Sequence, residues 1–288
     1  MRLLGKVRNR LERARRHRWR MGAWASPERH VIIGGCPRSG TTLLRRTFDR
    51  HPGLCCGPES SLFLPARIAL APLAATHGMD EAEVRALLRE SRSQAAFIDA
   101  FAARYRALRG RPRWVEKTPL NIRQIGWILE RFPEARVIHV IRDGRDVVCS
   151  LRDHPDRRWV DGAWVKELNP RSIEEHARRW VADTGAGMAW RADPRVLEVR
   201  YEDLAREPER TLRRVLAFLG EPYDPALLAA EEGREAAAGP GRPDAAGPIV
   251  TGSIGRWRSD LSPAEQEVVR RVAGQRLMEL GYADDGAW

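Results

Sequence analysis

A chain of 288 residues with 43% apolar side chains is long enough to bury a substantial core in one or two domains, and its composition is that of an ordinary globular protein. Its net charge of +11 is concentrated: residues 1–30 hold ten Lys and Arg against Glu12 and Glu28, which leaves +3 for residues 31–288. A near-balanced body without interleaved aromatics argues against nucleic-acid binding as the main role, and no stretch is apolar enough to cross a bilayer or to follow the basic start as a signal peptide.

In chain order the basic arm, residues 1–30, comes first. Leu3, Val7, Leu11 and Ala14 share one helical face, so the arm reads as a solvated or domain-packed segment, with peripheral contact to an anionic membrane or a partner as the alternative. Residues 31–288 form the remaining domain. Val31-Ile32-Ile33, bounded by Gly34 and Gly35, predicts a short buried strand. Thr41 to Arg50, with Leu43, Leu44, Thr47 and Phe48 at helical spacing, predicts a helix. The loop between them, Cys36-Pro37-Arg38-Ser39-Gly40, sets backbone N–H groups at a positive helix end, which makes an anion cradle. Gly35 and Gly40 have Walker A spacing, but Thr41 stands where that loop carries Lys, and the cation has moved into the loop as Arg38. A nucleoside triphosphate loses its main clamp by this change. A terminal phosphate bearing a transferable group still fits.

His51 to Glu59 reads as a loop, with Pro52, Gly53, Gly57 and Pro58 as turn residues. Residues of about 60–110 read as a helical insert: Asp80 caps one helix with Glu83 as its capping-box partner, and Ser93 opens another carrying Phe97, Phe101 and Tyr105. Arg113 to Lys117 predicts a strand, and Pro119 starts a helix with Ile122, Ile125, Ile128 and Leu129 inside. Ala135 to Ile141 predicts a strand covered on both faces, with His139 as a hydrogen-bonded core residue. Gly144 to Arg152 reads as a helix and 154–171 as a loop containing Arg157, Trp159 and Trp164. A helix from Ser172 to about Trp190, a strand at Val196–Arg200 and a helix from Pro208 to Leu219 follow. Residues 232–254, rich in Ala, Gly and Pro, read as a long loop of the kind that closes over a ligand, and Ser262-Pro263 with Glu265 starts the last helix. Strands alternating with helices predict an α/β fold with a P-loop-like parallel sheet flanked by helices on both faces, its ligands beyond the strands' carboxyl ends. Cys36, Cys55, Cys56 and Cys149 show no metal-ligand spacing and are expected to be reduced, which points to a cytoplasmic setting and to no bound metal.

A second signal lies at Ile141-Arg142-Asp143-Gly144-Arg145-Asp146, running to Ser150. Arg142 at a strand end and Ser150 two turns into the next helix converge as a second phosphate site, with Arg145 left as a solvated cation. Together the two sites fit a ligand phosphorylated at both ends. The ordered strings V-I-I-G-G-C-P-R-S-G-T-T-L-L-R, H-P-G-L-C-C-G-P-E-S, E-K-T-P, I-R-D-G-R-D-V-V-C-S and R-Y-E-D-L resemble those of sulfotransferases that use 3′-phosphoadenosine-5′-phosphosulfate (PAPS). The resemblance spans about residues 30–282 and is nearest to the branch that includes tyrosylprotein sulfotransferases and bacterial relatives.

The resemblance implies a role for each matched residue. Pro37, Arg38, Ser39, Gly40, Thr41 and Thr42 hold the 5′-phosphosulfate, Arg142 and Ser150 the 3′-phosphate, and Tyr201 touches the nucleotide. Glu59 stands at the position of the catalytic carboxylate, and Lys117 of E-K-T-P at that of the second cation on the transferring group. Arg256 and Trp257 match the segment that covers the nucleotide, to about residue 258, and Ser253 before them offers a hydroxyl to the bridging oxygen, at a spacing that departs from the branch's pattern. In sulfuryl transfer, negative charge grows on the oxygen bridging sulfur to the departing adenosine 3′,5′-bisphosphate, so flanking cations such as Arg38 and Lys117 serve it, and Glu59 between cations stays ionised as a base for the acceptor hydroxyl. The small-molecule branch carries Lys in the first loop and a His base. This chain has Arg38 and no His in E-K-T-P, which favours the Glu mechanism. The acceptor class stays open among small molecules, glycans, lipids and peptide tyrosine. Two other classes stand beside this one: a nucleotide kinase, disfavoured by the missing Lys, and a non-catalytic protein docked on a membrane by its arm.

Overall fold

The computed structural model describes residues 14–160, 163–167, 169–228, 251–285 and 288. The arm's face from Leu3 to Leu11 and nearly all of the 232–254 loop lie outside the described residues. Five parallel strands form the central sheet: β1 (Val31–Gly35), β2 (Leu54–Cys56), β3 (Arg113–Lys117), β4 (Arg136–Ile141) and β7 (Val196–Arg200), in the order β2-β3-β1-β4-β7. The register sets Val31 beside both Val115 and Arg136, so β1 lies at the centre with β3 and β4 on either side. Every residue of β1 is buried, because Ile32 packs to one face while Val31 and Ile33 pack to the other. A continuous apolar run suits a strand covered on both sides.

The first face is covered by α2 (Leu70–His77), α3 (Glu81–Glu90), α4 (Gln94–Arg109) and α5 (Ile125–Arg131), through Phe97, Phe101, Trp114 and Ile128. Asp80 and Ser93 cap α3 and α4 by accepting from Glu83 N and Ala96 N. Glu83 does not complete a capping box; its carboxylate is taken by Arg104 across the helix pair. The other face is covered by α1 (Thr41–Phe48) and α9 (Pro208–Leu219), through Leu44, Phe48, Leu212 and Leu216. A third cluster joins α6 (Gly144–Arg152), α7 (Ile173–Met188) and α11 (Pro263–Glu279) around Trp180, Val148 and Leu277. Ser172 and Ser262 each form a full capping box with Glu175 and Glu265. The chain passes from β7 into a short helix, α8 (Tyr201–Arg206), and reaches α11 through another, α10 (Trp257–Asp260).

Five further expectations are corrected. Leu54–Cys56 is a strand rather than loop, since three residues are too few to show a period yet add an edge to β3. Residues 154–171 are not all loop: β5 (Asp156–Val160) and β6 (Ala163–Glu167) pair antiparallel, Trp159 opposite Trp164. The helix expected from Pro119 opens as a 3-10 turn, Pro119–Gln124, before α5. Arg145 is buried rather than solvated: it lies over the rings of Trp257 and Trp288, at 4.2 and 4.6 Å, and pairs with Asp143 at 2.7 Å. His139 is buried, but neither ring nitrogen has a hydrogen-bond partner; Glu198 stands 3.7 Å away, and the ring fits because Gly187 carries no Cβ. No described helix is long and apolar enough to cross a membrane.

Candidate active site

Parallel register places all five carboxyl strand ends on one edge, and each delivers a residue named from the sequence. Glu59 follows β2, Lys117 ends β3, Arg38 follows β1, Arg142 follows β4 and Tyr201 follows β7. The loop after β1 turns on two left-handed residues, Arg38 (φ 72°) and Gly40 (φ 96°). At Gly40 a Cβ would lie 2.4 Å from the Tyr201 ring, so glycine is required there. Helix α1 begins without a side-chain cap, an arrangement that suits an anion at its first N–H groups.

Four cations of the site are tied to partners. Lys117, with its side chain 3% exposed, donates to Glu59 Oε1 at 2.5 Å and to Thr42 Oγ1 at 3.1 Å. Arg38 Nε donates to Ser150 Oγ at 3.0 Å, which joins the two proposed phosphate sites directly. Arg142 donates to the carbonyls of Arg38 at 3.1 Å and Ser253 at 2.5 Å, and its guanidinium lies 4.5 Å above the Tyr201 ring. Tyr201 and Ser253 share a hydroxyl hydrogen bond of 2.6 Å. Ser253 therefore stands with the Arg142–Tyr201 group. Arg256 is engaged by Asp153 at 2.7 Å and Asp260 at 2.6 Å, and Trp257 is buried, its backbone N–H given to Asp146 at 3.1 Å. The side chains of Arg157 and Trp164 lie outside the described residues.

Several residues were not singled out from the sequence. Asp146 also accepts from Gly255 N at 2.8 Å and so anchors the segment bearing Ser253 and Trp257; burial pushes its carboxyl up, against these backbone bonds. Its signal was the second Asp of R-D-G-R-D. Leu151, His154, Asn169 and Arg179 join Arg38, Thr42 and Glu59 around a cavity of about 270 Å³. Their separation along the chain left no local pattern to read. Burial raises the Cys36 thiol well above its ordinary value, so this loop cysteine stays protonated and does not compete as a nucleophile.

The arrangement fits a doubly phosphorylated ligand. Ser39 Oγ and Arg142 Nε are buried without hydrogen-bond partners, one in each proposed phosphate site. Such orphans are uncommon in a finished core and suit groups awaiting a ligand's oxygens. No group of three or more His, Cys, Asp or Glu among the described residues is arranged to hold a metal.

The model for the sulfotransferase family matches residues 30–225. The chain belongs to the sulfotransferase family. It is 29% identical over 211 residues to protein-tyrosine sulfotransferase 1 of Danio rerio, covering 70% of this chain and 56% of that one. It is 27% identical over 282 residues to the nodulation protein NoeE of Sinorhizobium fredii, covering 86% and 64%. The chain thus spans little more than half the length of the Danio relative. Among solved structures, the sulfotransferase domain of the Synechococcus PCC 7002 olefin synthase superposes with a TM-score of 0.64 at 23% identity, covering 90% of this chain and 98% of that one. Mouse sulfotransferase SULT7A1 complexed with PAP superposes with a TM-score of 0.56 at 15% identity, covering 90% and 87%. At these identities the structures establish the fold: a parallel α/β sheet flanked by helices.

Proposed function

We propose that this family member transfers the sulfuryl group of PAPS to an acceptor hydroxyl and releases adenosine 3′,5′-bisphosphate. The observation that carries the reading is the Lys117–Glu59 pair at the mouth of the loop bearing Arg38 and Thr42, beside a cavity open to an acceptor. Bound in the cradle, PAPS supplies an electrophilic sulfur with a good leaving group. Arg38, Ser39 and the N–H groups from Gly40 to Thr42 hold its 5′ end, and Arg142 and Ser150 hold its 3′-phosphate. Glu59 accepts the acceptor's proton at its carboxylate, and Lys117 and Arg38 set positive charge where the leaving oxygen becomes negative. Lys117 also keeps Glu59 oriented until an acceptor displaces that contact. Tyr201 and Ser253 close the nucleotide side, with Ser253 a candidate donor to the bridging oxygen.

The acceptor belongs to a broad class, small molecule, glycan, lipid or peptide tyrosine, whose hydroxyl reaches Glu59 through the cavity that Leu120 and Leu151 help to line. A cytoplasmic setting is supported by four buried, unpaired cysteines, and residues 1–30, apart from the domain-packed Arg20, Ser26 and His30, are proposed to touch membrane surfaces peripherally. The deciding experiment is thermal unfolding with adenosine 3′,5′-bisphosphate, with 5′-AMP and with Mg²⁺-ATP. At a hundred times Kd the bound state gains about 2.7 kcal/mol, a visible shift in Tm. A shift with the bisphosphate, lost in Arg142→Ala, is expected. A shift with Mg²⁺-ATP alone overturns the reading in favour of a kinase.

A further inference from the structure

The loop holding Glu59 and the strand end holding Lys117 have no backbone pairing between them, yet their side chains meet within 2.5 Å. Something must fix that distance, and one buried carboxylate does. Glu116, the residue before Lys117, is 1% exposed and faces away from the Lys117 ammonium by strand alternation. Its Oε1 accepts from Ser60 N at 3.3 Å, Ser60 Oγ at 2.8 Å and Thr118 Oγ1 at 2.7 Å, and its Oε2 accepts from Asn121 Nδ2. Ser60 Oγ in turn accepts from Leu62 N at 3.2 Å, and Thr118 Oγ1 accepts from Ser61 N at 3.0 Å. Ser61 itself sits at φ 56°, a left-handed conformation disfavoured for a residue with a Cβ. An unheld loop would relax from it.

We infer that Glu116 is the positioning residue of the Glu59–Lys117 pair: it binds the residue after the proposed base while occupying the position before the proposed cation. The inference rests on the functional reading above. All four groups facing Glu116, the Ser60 N–H, the Ser60 and Thr118 hydroxyls and the Asn121 amide, donate to it, and a carboxylate accepts all four at once. Burial pushes its carboxyl up, while the bonds from Thr118, Ser60 and Asn121 oppose that shift. No ligand group needs to reach it, because Ser60, Thr118 and Asn121 enclose it. Its effect on transfer is therefore through geometry.

The substitution Glu116→Gln keeps the shape but turns one oxygen into a donor, which breaks one of the four bonds as they stand and forces its partner, Asn121 Nδ2 or a hydroxyl, to turn. The expected result is a fall in kcat of about 10²-fold, the scale for misplacing a reacting group by about 1 Å, with KM for PAPS and Kd for adenosine 3′,5′-bisphosphate within about threefold of wild type. Amide hydrogen exchange across residues 59–62 accelerates in the variant, while exchange in α1 is unchanged. Ser60→Ala and Thr118→Val, each removing one donor, give smaller losses of the same kind, and they replace Glu116→Gln if that chain does not fold. The inference is overturned if kcat stays within about threefold of wild type in these variants, or if bisphosphate binding falls as steeply as kcat. If wild type transfers no sulfuryl group, the functional reading fails; the exchange measurement still decides whether Glu116 holds the loop.

Discussion

Replacing Glu59 by Gln separates the two duties assigned to that carboxylate. Loss of a general base lowers turnover by about 10²–10⁴-fold, or about 3–5 kcal/mol of barrier at 1.36 kcal/mol per decade. The same change strips Lys117 of its anionic partner. Breaking a fully buried pair costs about 3–5 kcal/mol; with Glu59 27% exposed the figure falls to about 1–3 kcal/mol. For a domain of this size that lowers Tm by roughly 3–10 °C. Nucleotide affinity moves the other way. Removing a negative charge beside a cradle for anions leaves the binding of adenosine 3′,5′-bisphosphate unchanged or tighter. The assays are turnover with sulfur-labelled PAPS and the acceptor that wild type uses, calorimetric titration with the bisphosphate, and thermal unfolding. A variant that keeps turnover within about threefold refutes the base assignment. One that loses bisphosphate binding along with turnover shows Glu59 to be a structural residue.

Gly40→Ala drives a Cβ into the Tyr201 ring at φ 96°, so bisphosphate affinity should drop at least tenfold in titration, with about 1–3 kcal/mol lost in stability. Arg20, which donates to Phe63 O at 2.9 Å and to Gln124 Oε1 at 2.8 Å and lies 3.9 Å over Trp127, ties the N-terminal segment to the loop below the cavity. Arg20→Ala should cost about 2 kcal/mol, seen as a Tm lower by roughly 4–8 °C, and raise the acceptor's KM more than that of PAPS. Burial lowers His77 from the ordinary 6.5 to about 4. The unfolded chain therefore binds the proton first as pH falls, and stability present above pH 6.5 is lost between pH 6.5 and 4. Urea unfolding at pH 7 and pH 4.5 should show a loss of about 2–3 kcal/mol from this group, absent in His77→Gln; an equal loss in both proteins refutes the assignment.

Local chemistry is written in consecutive residues, and that part was legible before any fold was known. The Gly-bounded loop around Arg38, the strand A-R-V-I-H-V-I, the cap at Asp80, the helix starts at Ser93, Ser172 and Ser262 and the Arg142-to-Ser150 pattern all lie within a few residues. Their backbone bonds and burial follow from local periodicity, so the parallel α/β architecture followed from them. Convergence was different. That Arg38 reaches Ser150, that Lys117 meets Glu59, that Asp146 anchors residues 255 and 257 and that Leu151, Asn169 and Arg179 share one cavity all depend on strand order. Strand order is settled by which faces can be buried together, a property of the whole chain. The same holds for Arg145 and Glu116, two charges that a sequence reading leaves in solvent or leaves unmentioned. Burial of each is tolerated because residues distant in sequence, Trp288 for one and Ser60 for the other, add to near partners such as Asp143 and Thr118.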